Sequence, residues 1–117
     1  MRVLSLVWVG TRTDEYDSTV AFFRDTLGLP VDSTETDFTV LRVPDGATVE
    51  VFGPRSEYNR HLTHPVAGFR VEDLKSAVQE LEAAGIEIVL PIHGSEEHSW
   101  MHFRAPDGFV YELAEDR

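Results

Sequence analysis

Pro106-Asp107-Gly108-Phe109-Val110-Tyr111-Glu112 is matched earlier in the chain by Pro44-Asp45-Gly46-Ala47-Thr48-Val49-Glu50. Proline presets φ, aspartate bonds its own backbone, and glycine takes the position with φ > 0, so each copy reads as a hairpin turn. The strand leaving each turn carries a glutamate four residues after the glycine. The turn glycines lie 62 positions apart (108 − 46) in a chain of 117 residues. That spacing reads as one module written twice.

The flanking sequence repeats in the same order. Leu4, Leu6 and Trp8 alternate with Ser5, Val7 and Val9, a strand pattern that residues 10–13 end. Asp14 or Asp17 can cap a helix whose stripe is Tyr16, Val20, Phe23 and Leu27, stopped by Gly28 and Pro30. Strands are expected at 31–35, 38–43 and 48–52. In the second half a strand at 66–71 precedes a helix capped by Asp73, with Leu74, Ala77, Val78 and Leu81 on one side and Gly85 at its end. Strands at 86–91, 99–105 and 109–114 follow, with 92–97 as a loop. The helix-ending glycines are 57 apart (85 − 28), so both punctuation marks recur in the same order. The expected organisation is one domain over 1–117: module one about 1–53, a polar linker about 54–65, and module two about 66–117, each βαβββ.

Composition bounds the chemistry. Hydrophobic residues make up 42% and charged residues 26%, as in ordinary globular domains. There is no cysteine, which removes disulfides, thiolate metal sites and a cysteine nucleophile. No apolar run approaches the roughly 18 residues of a membrane span, and no signal peptide opens the chain, so a cytoplasmic location is expected. A net charge of −11 opposes nucleic-acid binding and permits attraction of cationic ligands. No nucleophile elbow or phosphate-binding glycine loop is present.

The paired module resembles the vicinal oxygen chelate superfamily of glyoxalase I, extradiol dioxygenases, methylmalonyl-CoA epimerase and the bleomycin and fosfomycin resistance proteins. The resemblance rests on Phe22-Phe23-Arg24-Asp25-Thr26-Leu27-Gly28-Leu29, on Phe69-Arg70-Val71-Glu72-Asp73-Leu74, and on Phe103-Arg104-Ala105-Pro106-Asp107-Gly108 leading to Glu112. It implies an α+β fold in which two tandem βαβββ modules form a curled-sheet cup with helices outside. Alternation alone turns Glu50 and Glu112 toward solvent; the resemblance turns them into the cup. Metal-dependent relatives place ligands on the first and last strand of each module. The last-strand positions match as Glu50 and Glu112, but the first-strand positions fall at Ser5 and Val66, a poor ligand and a non-ligand.

His98, Trp100, His102 and Arg104 share one strand face, opposite Met101 and Phe103. The resemblance implies a ligand-binding cup lined by Glu50, Phe52, Trp100, His102, Arg104 and Glu112. Within it, His102 reads either as a histidine bonded to a neighbouring strand or as a general acid/base. Arg104 reads as an ion-pair partner before it reads as a substrate clamp. The expected function is binding of a small, partly apolar and possibly cationic molecule by a homodimer, without a standard metal site or other cofactor. The alternative is a lyase, isomerase or dioxygenase in which Glu50, Glu112 and His102 hold a divalent metal, with Glu112 and His102 as the catalytic candidates.

Overall fold

A computed structural model describes all 117 residues. The elements run β1 (Val3–Arg12), α1 (Tyr16–Ala21), a π-helical turn (Phe22–Thr26), β2 (Val31–Glu35), β3 (Phe38–Arg42) and β4 (Thr48–Phe52). Then follow β5 (Val66–Val71), α2 (Leu74–Ala83), β6 (Glu87–Gly94), β7 (His98–Arg104) and β8 (Val110–Asp116). The class is α+β, with the order βαβββ twice. No helix is long and apolar enough to cross a membrane.

Two compact units divide the chain. One is Val7–Val66; the other joins Met1–Leu6 to Ala67–Arg117. In the first, strands lie in the order β2-β3-β4-β1, with β1 parallel to β4. In the second, the order is β5-β8-β7-β6, with β5 parallel to β8. The chain start is tied to the second unit by the Met1 amino group on Glu80 at 2.5 Å and by Glu72 N–H on the Arg2 carbonyl at 3.2 Å.

Each unit packs one sheet face on its helix. Leu41, Val49 and Val51 bury against Val20 of α1, with Tyr16 and Phe23 beside them. Val71, Met101 and Leu113 bury against Leu74 and Ala77 of α2. Period-2 alternation therefore sends Glu50 and Phe52 in the first unit, and Trp100, His102 and Glu112 in the second, to the face opposite the helix.

The two Pro-Asp-Gly turns are the same structure. Gly46 and Gly108 have φ of 97° and 86°. Asp45 and Asp107 each accept the N–H two residues on, at 2.9 Å. Arg42 and Arg104 extend the likeness: each donates to the turn glycine's carbonyl, at 2.9 and 3.0 Å, and pairs with an acid, Asp32 or Glu87, on the neighbouring strand.

Three expectations need correction. The first helix is capped by neither Asp14 nor Asp17; Glu15 holds the cap position without a side-chain bond. Its last turn is π-helical, with Leu27 N–H bonding the Phe22 carbonyl. One extra residue per turn rotates Leu27 off the apolar stripe, and it is 53% exposed. Finally, β6 continues through the expected loop at 92–97 as far as Gly94, carrying Pro91 and two register shifts. As the last strand of its sheet it tolerates a residue without an N–H.

Candidate functional site

The antiparallel register of β7 and β8 sets His102 directly opposite Glu112. His102 is fully buried and Glu112 is 6% exposed. Nε2 of His102 lies 3.0 Å from Oε1 of Glu112. Burial pushes the Glu112 carboxyl up to about 8, with the nearby His98 opposing and Asp116 adding to the rise. Burial also drops the His102 imidazole to about 4, and the charge of His93 acts in the same direction. Both shifts favour the neutral form of the pair, in which the carboxyl donates to Nε2. A neutral hydrogen bond avoids the desolvation cost of a buried ion pair.

Glu115, three residues along β8, shows the contrast. It points to the other face and accepts the Leu74 N–H at 2.8 Å at the start of α2. That bond, and then Arg117, hold its carboxyl below the usual carboxylate range. Two buried glutamates on one strand therefore hold opposite protonation states, decided by which donors meet them.

Trp100 is half-buried beside this pair. It faces Ala114 on β8 and His93 on β6. Its ring lies over Gly94, where an added Cβ would come within 2.7 Å of Cζ3. His98, next along the same face, pairs with Asp116 in the open.

Arg104 does not join this group. It is exposed and committed to the Gly108 carbonyl and to Glu87. The sequence carried a signal for that role, because Arg42 stands at the matching position before the first turn. In the first unit Glu50 is half-buried between Gly10 of β1 and Val40 of β3. Phe52 is 1% exposed and stacks on Phe38 with ring centroids 5.0 Å apart.

Register also corrects the first-strand positions. Glu50 stands beside Gly10, and Glu112 beside Gly68. This offset of 58 (68 − 10) makes Trp8 the counterpart of Val66 (66 − 8 = 58) in place of Ser5. Trp8 is 6% exposed, and its ring covers Gly10, where a Cβ would collide with it. Neither Trp8 nor Val66 offers a metal donor. No group of three His, Asp or Glu that could hold an ion forms.

One residue on this face was missed by sequence reasoning. Arg70 of β5 stands beside Ala114, on the same side as Glu112, because its neighbours Phe69 and Val71 pack on α2. That sandwich between two core residues was the available signal.

The profile of the Glyoxalase/Bleomycin resistance protein/Dioxygenase superfamily matches residues 5–113. A superfamily member from Vibrio splendidus 12B01 is similar at 20% identity and a TM-score of 0.72, covering 98% of this chain and 100% of that one. Methylmalonyl-CoA epimerase from Mycobacterium tuberculosis is similar at 20% identity and a TM-score of 0.71, covering 98% and 89%. The Mn(II)-bound glyoxalase from Novosphingobium aromaticivorans gives 17% identity and a TM-score of 0.77, covering 98% of this chain and 40% of that one. No curated protein matches the sequence.

Proposed function

The chain belongs to the Glyoxalase/Bleomycin resistance protein/Dioxygenase superfamily, and from that premise we propose that it binds a small, partly apolar molecule against the face carrying Glu112, His102 and Trp100. The supporting observation is the buried His102–Glu112 hydrogen bond on the sheet face opposite α2. Buried polar pairs cost more than apolar packing in their place, and groups with strongly shifted pKa values cluster at functional sites. Trp100 beside the pair supplies a flat apolar surface. Binding proceeds without the metal typical of the fold, since the first-strand positions are Trp8 and Val66. The protein works as a cytoplasmic homodimer, which covers the exposed Val3, Leu4 and Leu6 of β1.

A second reading has its own support. Between about pH 4 and 8 the pair holds one proton, so Glu112 can deliver it to a bound substrate while His102 takes its place as acceptor. Solved structures with this fold include proteins named as epimerase and glyoxalase. This reading makes the chain a metal-independent acid–base enzyme.

One set of measurements separates the readings. Small carbonyl and carboxyl compounds are screened by NMR against wild-type protein, Trp100→Ala and Glu112→Gln, with metal content measured by mass spectrometry. Binding predicts ligands that shift the Trp100 indole signal and bind about tenfold or more weakly to Trp100→Ala. The enzyme reading adds turnover that Glu112→Gln abolishes while binding persists. Near-stoichiometric metal, lost on Glu112→Gln, would overturn both.

A further inference from the structure

In a chain with 21 acidic residues against 10 basic ones, Arg70 makes no ion pair. Every other arginine has a carboxylate or carbonyl partner. Nε of Arg70 is buried with no hydrogen-bond acceptor in the chain. Arg70 is half-buried as a residue; its Nε–H has lost water and gains no acceptor in exchange, which is a cost. By register three carboxyls stand within two residues of the Arg70 row on this face: Glu72 pairs with Arg2, Asp116 pairs with His98, and the third is Glu112, beside Gly68 of β5. Glu112 turns to His102 and leaves Arg70 alone.

The surroundings of Arg70 define what would complete it. On its row of the sheet stand Ala114, which is small, and then Trp100. Adjacent strands are about 4.8 Å apart, so Arg70 and Trp100 are separated by about 10 Å at the backbone. The Trp100 ring leans over Gly94, on the side away from Arg70. One row along, Glu112 and His102 supply a hydrogen-bonding pair.

We propose that Arg70 is the anion-recognition residue of this face, so that the ligand is a small carboxylic acid with a flat apolar portion. The carboxylate bonds the planar fork of Arg70, whose geometry matches it. The apolar portion runs along the row toward Trp100. This inference rests on the binding face proposed above and specifies its ligand class.

The probes are 3-phenylpropionate, its primary amide and 3-phenylpropylamine, which share a ring and differ in charge. Each is titrated into the intact protein with 15N NMR detection of the Arg70 Nε–H and Trp100 indole signals. The acid is expected to shift both signals and to bind about tenfold or more tightly than the amide, as a charge-assisted bond implies. Arg70→Gln should weaken the acid by about tenfold or more and the amide by much less, so that the preference for the acid is lost. The Nε–H signal of wild-type protein gives the same answer if that variant does not fold. Acid and amide binding equally, or the amine binding best, with the Trp100 signal still shifting, overturns the role of Arg70 and leaves the binding face standing. None of the three probes moving the Trp100 signal overturns the binding face and this proposal with it.

Discussion

Glu112 and Glu115 lie three positions apart on β8 and reach opposite protonation states. Glu115 meets a backbone N–H and a guanidinium, while Glu112 meets only an imidazole that is itself buried. The consequence for stability has a definite sign. Glu112 has a raised pKa, so its contribution is full below 4.5 and is lost as pH rises through about 8. His102 has a depressed pKa, so its contribution is full above 6.5 and is lost as pH falls through about 4. Between 4.5 and 6.5 the two trends cancel, since folded and unfolded chains each hold one proton on the pair. Above 6.5 only the folded chain holds one. Denaturant unfolding should therefore show about 2 kcal/mol lost from pH 6.5 to 8, at about 1.36 kcal/mol per pH unit. Glu112→Gln keeps a donor for His102 and cannot ionise, so it should abolish that decline. Parallel curves for the two proteins would mean that Glu112 is already ionised at neutral pH.

Among the elements, the first helix departs most from its sequence. A uniform 3.6-residue period places Leu27 on the stripe of Tyr16, Val20 and Phe23. The π-helical turn at Phe22–Thr26 breaks that period, leaving Phe23 packed on the core and Leu27 in solvent. Two substitutions test the register. Leu27→Glu should change stability by no more than about 0.5 kcal/mol, as at other surface positions. Phe23→Ala removes a ring packed on Val20, Leu41 and Val49 and should cost about 3 kcal/mol, somewhat less for its partial exposure. A large loss for Leu27→Glu in thermal or denaturant unfolding would show an ordinary α-helical register. The turns at Gly46 and Gly108 behave in the opposite way. Their aspartate, glycine and arginine contacts are all local, so the same residues build the same geometry in both modules.

For the molecule as a whole, the exposed apolar residues of β1 bear on association. Val3, Leu4 and Leu6 are 51%, 43% and 55% exposed on one strand. A second copy would remove that surface from water, and a net charge of −11 on each chain would oppose the contact at low salt. Sedimentation at micromolar concentration and moderate salt should give a species near 26 kDa, twice the 13.2 kDa chain. A 13.2 kDa species throughout would refute the homodimer.

The repeat, the two βαβββ modules and the parity of β4, β7 and β8 were legible in the sequence, because turn chemistry and period-2 alternation act over a few residues; alternation alone turned Glu112 toward solvent, whereas it is buried. The pairing of His102 with Glu112 was legible only in part. Parity placed both on the face opposite Met101 and Leu113, but partner choice needed the register of β7 on β8. The same ladder logic moved the first-strand position from Ser5 to Trp8, since a count along the chain cannot see where β1 meets β4. Arg104 and Arg70 mark the boundary. Each lies on a strand beside apolar neighbours, and both carry the same charge. Arg104 is neutralised by its own turn and by Glu87, whereas Arg70 is half-buried with an Nε that no acceptor reaches. Alternation tells which face a side chain takes; only the packed sheets decide what it meets there, because burial, desolvation and partner distance are properties of neighbours far apart in the chain.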